Sequence, residues 1–166
     1  MSRSYTWVWM VPLLAGLALI QSVVGPRIAL ASVHPDLVLI FLVGWTLLYG
    51  VRESVVWAFV GGLWLDLLSG GAIGASSLAL MAAVLVAGLG GTLFFRRNIF
   101  VPAFTVAAST FVYAGVHLTV LILLQGAFPV LPALERIVMP SLLYNSGLAL
   151  LFTPLLNRAP EPQEVV

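Results

Sequence analysis

The sequence predicts an all-α polytopic membrane protein with six transmembrane helices. Three observations carry this expectation. Of the 166 residues, 61% are hydrophobic and only 8% are charged, with a mean hydropathy of +1.13. A soluble domain carries roughly 25% charged residues, so this chain has too little polar surface to cover a globule in water. Apolar stretches of helix length recur along the chain, separated by short segments of Gly, Pro or charged residues. The cations, all of them Arg, also sort by loop. With a cytoplasmic N-terminus, Arg3, Arg52, Arg96, Arg97 and Arg158 fall on the inner side, whereas Arg27 and Arg136 fall outside. By the positive-inside rule this gives an N-in/C-in topology.

Composition also excludes functions. The net charge is +1 and no basic run occurs, so nucleic-acid binding has no support. The absence of Cys removes disulfides, thiol catalysis and Cys-based metal sites, and no cofactor is expected. No internal repeat or linker divides the chain. A single six-helix domain is expected over residues 1–158, with a disordered cytoplasmic tail over 159–166 that holds Pro160 and Pro162.

The first helix is expected over residues 7–24. Tyr5, Trp7 and Trp9 stand at its start, where aromatic residues anchor at a membrane interface. Its apolar run exceeds the ~7–15-residue core of a signal peptide, so it is read as a retained span. Pro12 lies in its first turns, and Gly25-Pro26 ends it. A loop closes on His34-Pro35-Asp36. Helix two is expected over 36–49, with Asp36 near the positive end of its dipole. Gly50-Val51-Arg52-Glu53 reads as a polar turn, and helix three as 54–68 with Ser54 as N-cap. Helices of about 15 residues reach only about 22 Å, short of a ~30 Å hydrocarbon core. Two real spans in thinned bilayer are preferred over a re-entrant hairpin, which would leave Arg52 and Glu53 near mid-membrane. A glycine-rich bend over 70–76 leads to helix four, 77–95. The loop Arg96-Arg97-Asn98 precedes helix five, 99–124, with Pro102 in its first turn. A loop over 125–136 holds Pro129 and Pro132, and helix six covers 137–156.

The embedded polar residues are the candidate site. At 1.5 Å per residue, Asp66 lies about 18 Å from the inner end of helix three, His117 about 27 Å along helix five, and Asn145 about 12 Å from the outer end of helix six. All three fall in the outer half. By i+3/i+4 spacing, Phe59, Gly62, Asp66 and Ser69 share a face, as do Thr110, Tyr113 and His117, and Ser141, Tyr144, Asn145 and Leu148. Two readings stay open. One is a shared outward-facing polar pocket. The other is separate structural hydrogen bonds with no ligand. A bare carboxylate in lipid costs roughly 2.5–3.5 kcal/mol, so Asp66 must be paired, neutralised or near the surface. Capping by the N–H groups around Ser69, Gly70 and Gly71 is the preferred role. Arg52-Glu53 and Arg96-Arg97 read as topology determinants. Catalysis is not expected: Ser109 and His117 are ~12 Å apart along one helix, and no paired catalytic groups are evident. Gly61, Gly62, Gly88, Gly90 and Gly91 are candidate surfaces for a partner helix.

Taken together, certain residues resemble the rod shape-determining protein MreD family. They are Pro35-Asp36-Leu37-Val38-Leu39, then Gly50-x-Arg52-Glu53, then Gly61-Gly62-Leu63-x-Leu65-Asp66-Leu67-Leu68-Ser69-Gly70, and Gly74. The motifs cover residues 35–80, and hydropathy carries the rest. The resemblance implies a non-enzymatic protein of the bacterial inner membrane, part of the elongasome that builds the lateral peptidoglycan wall. It implies a single-span MreC-like partner, working alongside RodA, a class B penicillin-binding protein and MreB. It also implies a fold similar to the substrate-binding subunit of energy-coupling-factor transporters. The alternative function is a small-molecule or lipid-binding transporter-type subunit with an outward-facing polar pocket.

Overall fold

In the computed structural model, which describes residues 3–28, 33–93, 100–126 and 130–156, the chain is almost entirely helical. The helices are α1 (Arg3–Val24), α2 (Leu37–Tyr49), α3 (Val51–Ser69), α4 (Ala75–Leu93), α5 (Phe100–Gln125), α6 (Val130–Ala133) and α7 (Met139–Leu156). A π-helical stretch, Leu134–Val138, joins α6 to α7. These two and the π stretch form one continuous rod, so six rods are present among the described residues.

The bends follow from local chemistry. The polar turn expected at residues 50–53 shrinks to Gly50 alone, whose φ of +90° suits a residue without a Cβ. Val51, Arg52 and Glu53 already belong to α3. Ser54 is therefore not an N-cap; its hydroxyl donates to the Gly50 carbonyl one turn back at 2.7 Å. The last rod also starts earlier than the expected residue 137. Pro132 is accommodated in its first turn, where no intrahelical N–H is needed. Pro140 has no N–H to offer four residues back, and its ring crowds the carbonyl there. The preceding turn widens, and Met139 N–H reaches the Leu134 carbonyl five residues back. Residues 94 and 95 of the fourth expected helix, the cations Arg96, Arg97 and Arg158, and the tail over 159–166 lie outside the described residues.

α2 is the hub. It packs against α1, α3, α4, α5 and α7, and Val38, Leu39, Leu42 and Val43 are fully buried. A helix apolar on all sides belongs in such a place. Around it, α4 packs on α3 and α5, α5 on α7, and α1 on α3. Where helices pack in lipid, whose tails are as apolar as Leu, close packing holds them together. Small residues allow it. A Cβ at Gly62 would run into the Ser77 backbone, one at Gly88 into Val51, one at Gly90 into Thr105 Oγ1, and one at Gly61 would lie 3.0 Å from Val38. These four glycines are consumed by the protein's own seams rather than presented to an incoming helix. For Gly91 only the helical backbone is described.

Polarity is distributed opposite to that of a water-soluble protein. Asp66, Asn145, Thr110, Ser109 and Gln21 are buried, whereas Leu143, Leu123 and Leu151 are each more than 70% exposed. Residues 8–27 and 101–124 are long and apolar enough to cross a membrane unaided. α3 misses that standard because it carries Arg52, Glu53 and Asp66, and α2 because its 13 residues reach only about 20 Å.

The seam at Gly62 gives a direct test. Gly62→Ala should destabilise the fold by about 1–3 kcal/mol through overpacking, read as a lower melting temperature in mild detergent. Gly16 has nothing within 4 Å of an added Cβ, so Gly16→Ala should leave the melting temperature unchanged or slightly raised.

Candidate functional site

The polar residues gather where α2 and α4 begin. A helix start leaves N–H groups without intrahelical partners, and in an apolar surround the protein itself must supply acceptors. At α4 the supplier is Asp66. Its Oδ2 accepts the Gly74 N–H at 2.7 Å and its Oδ1 the Ser76 N–H at 2.9 Å. The carboxylate faces the positive end of the α4 dipole and is 2% exposed. The bend makes this approach possible, with Gly70 and Gly74 both at positive φ. Ser69 Oγ donates to the Asp66 carbonyl at 3.2 Å and accepts the Gly71 N–H at 3.3 Å. Asp66 is thus a capping acceptor, but for the helix that follows. Its donors are Gly74 and Ser76, not the residues expected around Ser69–Gly71.

At α2 the suppliers come from two other helices. Gln21 of α1 accepts the Val38 N–H at 3.1 Å and donates through Nε2 to Asp36 Oδ1 at 3.3 Å. Asn145 of α7 accepts the Asp36 backbone N–H at 3.0 Å. Its Nδ2 donates to Asp36 Oδ2 at 2.9 Å and to Thr110 Oγ1 of α5 at 3.3 Å. One lattice of three side chains and a hydroxyl therefore ties α1, α2, α5 and α7. Pro35, fully buried, directs the chain into it.

Tyr113 and His117, one turn apart on α5, stack with ring centroids 5.6 Å apart. His117 Nδ1 is buried without a hydrogen-bond partner among the described residues. The expected grouping of Asp66, His117 and Asn145 thus resolves into two capping clusters and a Tyr113–His117 ring pair on α5. Arg52 and Glu53 stand elsewhere. Thirteen residues separate Glu53 from Asp66, about 20 Å along α3, and Arg52 is exposed. Gln21 escaped the sequence reading. The signal available was an amide near the end of an otherwise apolar helix, level with Asp36.

An inward-turned polar lattice inside an apolar helical shell fits a helical membrane protein. The family model of the rod shape-determining protein MreD matches residues 1–158. The chain belongs to the MreD family. No curated protein and no solved structure gives a significant match. The likeness to energy-coupling-factor subunits therefore rests on the resemblance alone.

The two clusters share no hydrogen-bond partner, which sets up a second prediction. Asp66→Asn leaves one good acceptor for two N–H groups, and Asn145→Leu strips Asp36 of two bonds. Each should cost about 1–3 kcal/mol. The double variant should be additive to within about 0.5 kcal/mol. Unfolding in mixed detergent micelles measures all three, and strong coupling would show a single network.

Proposed function

We propose that this protein is a non-catalytic scaffold of the bacterial cell-elongation machinery, holding a single-span MreC-like partner in the cytoplasmic membrane. In this reading all six rods cross the bilayer, both termini lie in the cytoplasm, and RodA, a class B penicillin-binding protein and MreB act in the same assembly. The family supports a role in determining rod shape. The observation that carries the scaffold reading is that Asp36, Asp66, Gln21 and Asn145 spend their hydrogen bonds inside the chain. What remains for a partner is apolar helix surface, such as Trp9, Leu13 and Ile20 on α1 and Phe104 and Phe111 on α5.

The absence of native Cys makes the test clean. Single Cys residues placed at Trp9, Leu13, Phe104 or Phe111 should form a disulfide with a Cys scanned along the partner's membrane helix. One face should react at a helical period. A protein that retains no single-span partner in mild detergent, and crosslinks to none in membranes, overturns the reading.

His117, whose buried Nδ1 has no partner among the described residues, favours the second reading, an outward-facing pocket for a small polar molecule. His117→Ala should then alter cell shape while the partner complex survives purification. Normal shape and growth in that variant would remove the pocket reading.

A further inference from the structure

Two guanidinium groups stand free at one end of the bundle. Arg27 closes a short 3₁₀ turn, Gly25–Arg27, that follows α1, and Arg136 lies in the π-helical stretch that leads into α7. Both are exposed, and neither side chain is held in an ion pair or hydrogen bond among the described residues. Tyr144 Oη donates to the Ile28 carbonyl at 3.2 Å, which ties the residue after Arg27 to α7. Arg136 precedes Tyr144 by two turns on the same rod, about 12 Å farther toward that end. α1 packs on α2 and α3, whereas α7 packs on α2 and α5, so the two arginines come from opposite flanks of α2. Inward of them the surface turns apolar. Val23 on α1, and Ile137, Met139 and Leu143 on the last rod, are each half exposed or more.

Orientation does not account for these charges. With both termini in the cytoplasm, Arg27 and Arg136 are the two arginines on the side that the positive-inside rule disfavours. What meets them must bring negative charge to the edge of an apolar surface. A guanidinium fork matches paired phosphate oxygens. A phospholipid carries its phosphate where its chains begin, so one molecule can satisfy the arginines and cover the apolar side chains inward of them. An acidic peptide supplies the charge without that apolar body. In phosphatidylglycerol no headgroup cation offsets the phosphate, whereas in phosphatidylcholine one does. We propose that Arg27 and Arg136 together hold the phosphate of one anionic phospholipid, whose chains run inward over Val23 and Met139. The inference rests on the rods crossing the bilayer and is independent of the MreC-like partner.

The test places the full-length protein in nanodiscs that hold phosphatidylglycerol or phosphatidylcholine. Each lipid carries a photoactivatable group on one acyl chain near its ester, and adducts are mapped by mass spectrometry. Phosphatidylglycerol should label residues 23–28 and 136–140 several-fold more than phosphatidylcholine does. Arg27→Gln and Arg136→Gln should each lower that labelling several-fold, and the double variant should lower it little further, because one phosphate is shared. Arg52→Gln, at the far end of the bundle, should leave it unchanged. Inorganic phosphate in the aqueous phase should not displace the lipid. Labelling of the exposed Leu123 and Leu124 by both lipids reports that the rods lie in the bilayer, which separates a failure at the arginines from a failure of the membrane reading. Equal labelling of residues 23–28 and 136–140 by the two lipids, unchanged labelling in either arginine variant, or losses that multiply in the double variant overturn the proposal. So does displacement by inorganic phosphate, or an acidic protein segment crosslinked to a Cys at position 27 or 136 in native membranes.

Discussion

The fold depends on one constraint: the first N–H groups of α2 and α4, buried or half-buried in the bundle, need acceptors that the protein itself supplies. The protein meets it with side chains borrowed from other helices. Asp66 of α3 covers the start of α4. Gln21 of α1 and Asn145 of α7 cover the start of α2. An ordinary N-cap comes from the residue just before a helix and stabilises only that helix. A cap supplied from elsewhere also fixes where the donor helix must stand. Asn145 can meet Asp36 only with α7 beside α2, and Gln21 only with α1 on α2's other flank. Each polar bond in this interior therefore specifies an arrangement as well as satisfying a group.

The same economy explains why the glycines are spent internally. Helices in lipid gain little from burying apolar surface, since lipid is as good a solvent for Leu as another helix is. They gain by approaching closely, and Gly62 against Ser77 and Gly88 against Val51 are such approaches. What is left outside is bulky and apolar, for example Leu143 and Leu151. A surface of that kind can pack against lipid or another helix, whereas the interior is committed to its own contacts.

Much of this architecture was legible in the sequence. Hydropathy marks six helical segments, and the cost of a carboxylate in apolar surroundings singles out Asp66 with a capping role. The register of the ends was less legible. Gly50 turns the chain by itself, so Arg52 and Glu53 look like loop residues but sit in α3. The widened turn before Pro140 cannot be read from periodicity, because the hydrophobic pattern continues through it. The partners were the least legible. Sequence spacing puts Asp66 and Asn145 at similar depth, but it cannot say that Asn145 goes to Asp36 or that Asp66 goes to Gly74 and Ser76. Those pairings are set by tertiary packing. Gln21 carried a visible signal, an isolated amide, that depth counting from Asp36 would have exposed.

The bond between Asp36 and Asn145 joins residues 109 positions apart, and this separation has a consequence for biogenesis. A ribosome completes α2 long before α7 exists. During that interval the central helix has an amide and a carboxylate still lacking the partner they will finally take. The last rod to emerge thus closes the molecule around its middle. A chain stopped short of residue 139 would contain every helix that packs on α2 except the one that completes its cap. Such a product would leave the Asp36 N–H and one oxygen of its carboxylate without the Asn145 side chain that holds them in the finished protein.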